Sequence, residues 1–85
     1  MTNTVKIYAL KDNKIGFVEV FIKNNDAVCI RDFQTACQNQ NSPLAKHPDD
    51  FAMYKVGEMD IETGKLKEET RKLIDARECV SCSQN

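Results

Sequence analysis

The sequence predicts an α+β domain. It reads as a small antiparallel sheet of three to four strands, in chain order β-β-α-β-β, with one amphipathic helix packed on one face and a short C-terminal helix or tail. Three observations predict this. Two alternating segments, residues 5–10 and 17–22, are joined by a short polar stretch. Residues 27–39 switch to helical spacing. Residues 51–59 alternate again and run into a glycine-bearing turn.

In the first strand Val5, Ile7 and Ala9 alternate with Lys6, Tyr8 and Leu10, which gives one face to a core. Lys11-Asp12-Asn13-Lys14 is a polar turn. Phe17 to Ile22 is rich in β-branched and aromatic residues and forms the second strand of an antiparallel hairpin. Asn24-Asn25-Asp26 supplies side-chain oxygens that can accept the unpaired first amides of a helix. Over the next residues Cys29, Ile30, Phe33, Ala36 and Cys37 lie on one side, while Arg31, Asp32, Gln34, Thr35 and Gln38 lie largely on the other. Residues 38–50 carry Asn, Gln, Ser, Pro43 and Pro48 and form a loop, since proline disfavours helix in the residue before it. Phe51 to Met59 is the third strand. Asp60-Ile61-Glu62-Thr63-Gly64 turns the chain, with Gly64 suited to positive φ. Lys65-Leu66-Lys67 pairs back as a short fourth strand. Glu68 to Val80 is charged and rich in helix formers, with Leu73 and Ile74 able to tack one or two helical turns onto the domain.

Eighty-five residues hold one domain, with an ordered core expected over about 4–74 and a flexible tail over 75–85. With 41% hydrophobic and 29% charged residues the composition is that of a globular chain, which excludes wholesale disorder. Twelve basic residues against 13 acidic give a net charge of −1. A free-standing DNA-binding domain carries a clear basic excess, so any contact with DNA is expected to be local, weak or indirect. No apolar run reaches the ~20 residues of a membrane span. The start has no signal-peptide pattern, so the chain is expected to stay in the cytoplasm. In that compartment Cys29, Cys37, Cys79 and Cys82 read as reduced thiols.

Each chemical motif has a plainer reading beside it. Cys79-Val80-Ser81-Cys82 is a CxxC, a spacing that chelates zinc or runs dithiol exchange. A structural zinc needs four ligands, and Cys29 and Cys37 fall on the expected buried helix face, so incidental tail thiols are the expectation. His47 is the single histidine and precedes a proline in a loop. No positioned nucleophile and orienting group accompany it, so it reads as a backbone hydrogen-bonding residue. The acidic run of Asp49, Asp50, Glu58, Asp60 and Glu62 lacks the spacing of a calcium loop and reads as a solvated strand end and turn. Gly16, Gly57 and Gly64 are too scattered for a phosphate loop. No catalytic residue, metal or cofactor is expected, and the chain is expected not to be an enzyme.

One surface rises above these. With Val5, Ile7, Val18, Val20 and Ile22 under the helix, the opposite sheet face carries Lys6, Tyr8, Phe17, Phe21 and Lys23. The third strand adds either Phe51, Met53 and Lys55 or Ala52, Tyr54 and Val56. Aromatic side chains beside lysines on an open sheet can stack bases and neutralise phosphates. The same surface can bind a protein partner or a second copy of the chain. Glu19 in its middle disfavours phosphate. The candidate DNA- or partner-binding residues are Lys6, Tyr8, Phe17, Phe21, Lys23, Arg31 and Lys55.

Three blocks carry a family resemblance: residues 27–36, with Ile30-Arg31-Asp32-Phe33; residues 42–54, with Ser42-Pro43, Lys46-His47-Pro48 and Phe51-Ala52-Met53-Tyr54; and residues 56–66, with Gly57-Glu58-Met59-Asp60 and Thr63-Gly64. In order and spacing they resemble the small non-structural protein of gokushoviruses, a branch of the microviruses. The resemblance runs from the first strand to about Ile74. Met53 stands where the family has an aliphatic residue, residues 14–21 match only loosely, and Cys79 to Cys82 lie outside the pattern.

The resemblance implies a counterpart of the microvirus packaging protein. Such a protein associates with the viral replication complex and replicative-form DNA. It switches synthesis from duplex to single strands, which enter the procapsid. The implied partners are the replication initiator and its complex, the procapsid, and viral DNA contacted weakly or indirectly; a homodimer is compatible and a membrane is not implied. The implied location is the cytoplasm of the bacterial host. No catalytic residue carries over. Arg31, His47, Pro48, Asp49, Gly57, Glu58, Asp60 and Gly64 occupy motif positions with structural readings: the glycines suit a bulge or turn, and Asp49 or Asp50 can bond neighbouring amides. The alternatives are a single-stranded-DNA-binding protein using the open sheet face and a capsid-assembly factor.

Overall fold

A computed structural model describes residues 3–83, with side chains as far as Cys79. The chain forms β1 (Thr4–Asp12), β2 (Gly16–Lys23), α1 (Asp26–Gln38), α2 (Pro43–Lys46), a 3-10 turn at Pro48–Asp50, β3 (Phe51–Asp60), β4 (Leu66–Asp75) and α3 (Ala76–Ser83). The strands make one antiparallel sheet in the order β2-β1-β3-β4. The α+β class and the β-β-α-β-β order are those the periodicity predicts.

Local chemistry sets the boundaries. Asn25 caps α1, its Oδ1 accepting from the Val28 amide at 2.9 Å. Ser42 caps α2 in the same way through Leu44, with Pro43 in the first turn, where its missing N–H costs nothing. The β3–β4 turn is built on Asp60. Its Oδ1 accepts from the Glu62 and Thr63 amides, its carbonyl accepts from Gly64 at 2.7 Å, and Gly64 takes φ +76°.

Two expectations about the C-terminal third are corrected. The charged residues from Glu68 to Asp75 are not helical: β4 runs ten residues to Asp75, paired along β3, and the expected short C-terminal helix begins only at Ala76. Helix propensity is a weak prior, and the hydrogen bonds and side-chain contacts of an adjacent strand override it. Within the segment expected to be a flexible tail, residues 75–79 are packed against the domain. Ala76 and Cys79 of α3 are buried in the core beside Cys37 of α1. Val80 to Asn85, Cys82 included, lie outside the residues whose side chains are described.

All three helices lie over the same face of the sheet, and their shared core holds Tyr8, Cys29, Phe33, Cys37, Leu44, Met53, Ala76 and Cys79. This reverses the expected faces. Tyr8 is 0% exposed, while Val20 is 66% and Ile22 60% exposed. Tyr8 can sit in the core because its hydroxyl donates to Asp26 Oδ1 at 2.7 Å, so no polar atom is stranded there.

Candidate functional site

Antiparallel partners point to the same side of a sheet, so the strand register lays out both faces as rows. On the helix-covered face the rows are Lys23, Lys6, Glu58 and Lys67; then Phe21, Tyr8, Lys55 and Arg71; then Glu19, Leu10, Met53 and Ile74. On the open face they are Val5, Met59 and Leu66; then Ile22, Ile7, Gly57 and Glu68; then Val20, Ala9, Tyr54 and Lys72; then Phe17, Lys11, Ala52 and Asp75.

Register breaks produce this arrangement, one of them in β4, where Met53 pairs with Ile74 but Tyr54 pairs with Lys72 and Leu73 is left extra. Leu10 pairs with Glu19 but Lys11 pairs with Phe17, which leaves Val18 as an extra residue in β2. The phase of β2 flips there, so Phe17 and Phe21 point to opposite faces although both are odd-numbered. Val56 is the extra residue in β3, between Lys55 opposite Tyr8 and Gly57 opposite Ile7. Gly57 is required at that step. A Cβ on it would lie 2.5 Å from the Lys67 carbonyl oxygen.

The candidate binding set is therefore split. Of Lys6, Tyr8, Phe17, Phe21, Lys23, Arg31 and Lys55, only Phe17 is on the open face. Tyr8 is buried and Phe21 packs against the core. Lys23 lies over the Phe21 ring at 5.5 Å and pairs with Asp32 at 2.9 Å. Arg31 is exposed on α1, 3.7 Å from Asp32. Lys6 sits between Lys23 and Glu58 in its row.

Lys55 is 5% exposed, bonded to Glu58 at 2.9 Å and 3.6 Å from Glu69. The Glu58 bond raises its pKa against the opposing effect of burial, so the ammonium stays charged. Arg71 links Glu69 to Asp26, the Tyr8 acceptor. The Tyr8 and Arg71 hydrogen bonds hold the Asp26 carboxyl below the usual range, and burial pushes the Tyr8 hydroxyl well above its own. This network ties α1 to the sheet through saturated charges.

The motif residues fill structural places. His47 closes α2 through its amide to the Pro43 carbonyl, and Pro48 opens the 3-10 turn. The Asp49 carboxylate bonds Arg77 of α3 at 2.9 Å rather than a neighbouring amide. Glu58 accepts from Thr4 and Lys55. Among the described residues no group of three or more His, Cys, Asp or Glu is placed to hold a metal ion. Among the described residues no helix is long and apolar enough to cross a membrane. A cleft of 310 Å³ lies between α1 and β2, walled by Leu10, Phe21, Phe33, Leu44 and Met53 with Glu19 in its lining.

The open face is the largest unsatisfied feature. Val20, Ile22 and Phe17 of β2 and Leu66 of β4 are exposed, and Ile7, Val5 and Met59 are half-buried beside them. At one end Phe17 and Tyr54 meet edge to face with ring centres 5.3 Å apart. Lys11 stands 5.7 and 5.8 Å from the two centres. Sequence alternation alone could not find this trio, because nothing in the run from Phe17 to Ile22 marks Val18 as the extra residue that brings Phe17 to Tyr54.

No curated protein and no solved structure matches the chain. One family model does, across residues 5–79, from the start of β1 into α3. Its description is Phage ORF5 protein, and the chain belongs to that phage protein family.

Proposed function

We propose that this protein promotes the packaging of viral single-stranded DNA as a non-catalytic adaptor in the cytoplasm of the bacterial host. It associates with the replication complex on replicative-form DNA, and its presence shifts synthesis from new duplex to single strands destined for the procapsid. Membership of a phage protein family supports the setting. The resemblance of residues 27–66 to the gokushovirus non-structural protein supports the packaging role. The observation that carries the reading is the open sheet face. A continuous apolar surface on a small domain is costly in water and marks a site of macromolecular contact. The near-cancelling charges fit contact with protein better than a coat on DNA.

The test is infection with phage encoding Val20→Glu/Ile22→Glu, reading duplex and packaged single-stranded viral DNA separately. The reading expects duplex to persist while packaged strands fall by at least about tenfold, the effect of roughly 1.4 kcal/mol lost from a required contact. Normal packaging by that variant would refute it.

One observation favours direct single-stranded-DNA binding as the second reading: the Phe17–Tyr54 pair with Lys11 over both rings offers a stacking platform with a cation. Micromolar oligonucleotide binding, steeply weakened by salt and lost in Phe17→Ala/Tyr54→Ala, would move the assignment to that reading.

A further inference from the structure

We propose that a second copy of this chain covers the open sheet face, packed face to face about a two-fold axis that runs across the strands. The inference rests on the reading that the open face is a contact surface, and it names the occupant.

Three features of the face select a second copy. The first is size. The molecule has principal extents of 43 × 26 × 18 Å. Four strands about 4.8 Å apart and four rows about 7 Å apart give roughly 500 Å² of flat face per copy. Two such faces bury about 1,000 Å², the threshold for a specific interface.

The second is charge. The face carries Lys11 and Lys72 against Glu68 and Asp75, two cations and two carboxylates, so it has no net charge to recruit a phosphate backbone. Asp75 is engaged by Lys72 at 3.0 Å. The Lys11–Lys72–Asp75 end is therefore left with one positive charge, and Glu68 places one negative charge toward the other end. A face of that kind complements itself when its ends are exchanged.

The third is the fit of the rows. An axis across the strands keeps β2 over β2 and exchanges the second row with the third. Ile22 then meets the partner's Val20, Ile7 meets the partner's Ala9, and Tyr54 meets the partner's Gly57. Glu68 meets the partner's Lys72 at the rim. In these two central rows each large side chain faces a small or apolar one, and in the outer rows, at the rim, Met59 meets the partner's Ala52 while Val5 and Leu66 meet the partner's Lys11 and Asp75. The other two-fold in the interface plane, parallel to the strands, lays β2 over β4. That arrangement would press Val20 onto the partner's Lys72 and Ile22 onto the partner's Glu68, burying charge against aliphatic groups. Sheets packed face to face also keep their strands within about 30° of each other, which this arrangement allows.

Sedimentation equilibrium on the full chain tests the proposal. The expected species at micromolar concentrations has twice the 9.7 kDa mass of the chain. Val20→Glu/Ile22→Glu should be monomeric, with an unchanged far-ultraviolet spectrum. Glu68→Lys and Lys72→Glu should each weaken the dimer, and the double exchange should restore it. A monomeric wild-type chain would overturn the proposal, as would a dimer that survives Val20→Glu/Ile22→Glu. Failure of the double exchange to restore the dimer would overturn the stated axis. The infection assay separates this from the functional reading. A monomeric wild-type chain whose packaging still depends on Val20 and Ile22 removes the second copy and keeps the role. A dimer whose disruption leaves packaging intact removes the role and keeps the second copy.

Discussion

Tyr8 is the residue on which the two faces of the sheet turn. Its ring fills the core under α1, and its hydroxyl ends on Asp26 at the first turn of that helix. Tyr8→Phe leaves the ring in place and removes the donor, so unfolding in urea should show a loss of about 1–2 kcal/mol. The buried thiols add a pH dependence. Burial pushes Cys29 up to about 11 and Cys37 up to about 12. The folded chain therefore keeps protons that the unfolded chain releases near the ordinary thiol value of about 8.5. Their stabilising contribution is complete below that value and drains as the pH rises through 11. Tyr8, also raised, adds to the same alkaline decline. Urea midpoints at steps above about pH 8.5 should fall, and more gently in Cys37→Ala. Gly57→Ala should cost about 1–3 kcal/mol in thermal unfolding, because the added methyl meets the backbone oxygen of Lys67, which has no free rotor to move away.

At the scale of elements, the first two thirds of the chain is legible because local signals agree there. The alternation of residues 5–10 and 17–22, the Asn25 cap and the helical spacing after it all point to the elements that form. Ser42-Pro43 is also a cap with proline in the first turn, so α2 was readable inside the loop. What sequence pattern did not carry is phase. Alternation says that two faces exist, not which one the helix covers, and the Val18 and Val56 bulges exchange the faces partway along β2 and β3. Hence Tyr8, Phe21, Lys23 and Lys55 went to the helix side and left Phe17 on the other. The full length of β4 and the docking of α3 were hidden for a different reason: both are fixed by long-range packing, β4 on β3 and Cys79 on α1. If α3 is part of the core, Ala76→Asp should lower stability by about 2–4 kcal/mol by circular dichroism, since an unpaired carboxylate enters an apolar site. A change under about 0.5 kcal/mol, ordinary for a surface position, would return α3 to the status of a tail.

At the scale of the molecule, three helices on one side leave a two-layer domain with one naked side. A chain this small gains little stability from its own core, so covering that side serves both folding and function. Stability should accordingly rise with protein concentration in the wild-type chain and not in Val20→Glu/Ile22→Glu, as read by thermal midpoints over a dilution series. Val20 and Ile22 point outward on the contact face while Leu10 and Leu44 point inward. Methyl NMR with a soluble paramagnetic reagent reads this orientation. In dilute protein the Val20 and Ile22 methyl signals should be bleached and those of Leu10 and Leu44 spared, with Val20 and Ile22 regaining protection as concentration rises. Val20 and Ile22 methyls shielded at every dilution would place them inside the fold, and methyls bleached at every concentration would leave the open face uncovered; either result overturns this arrangement.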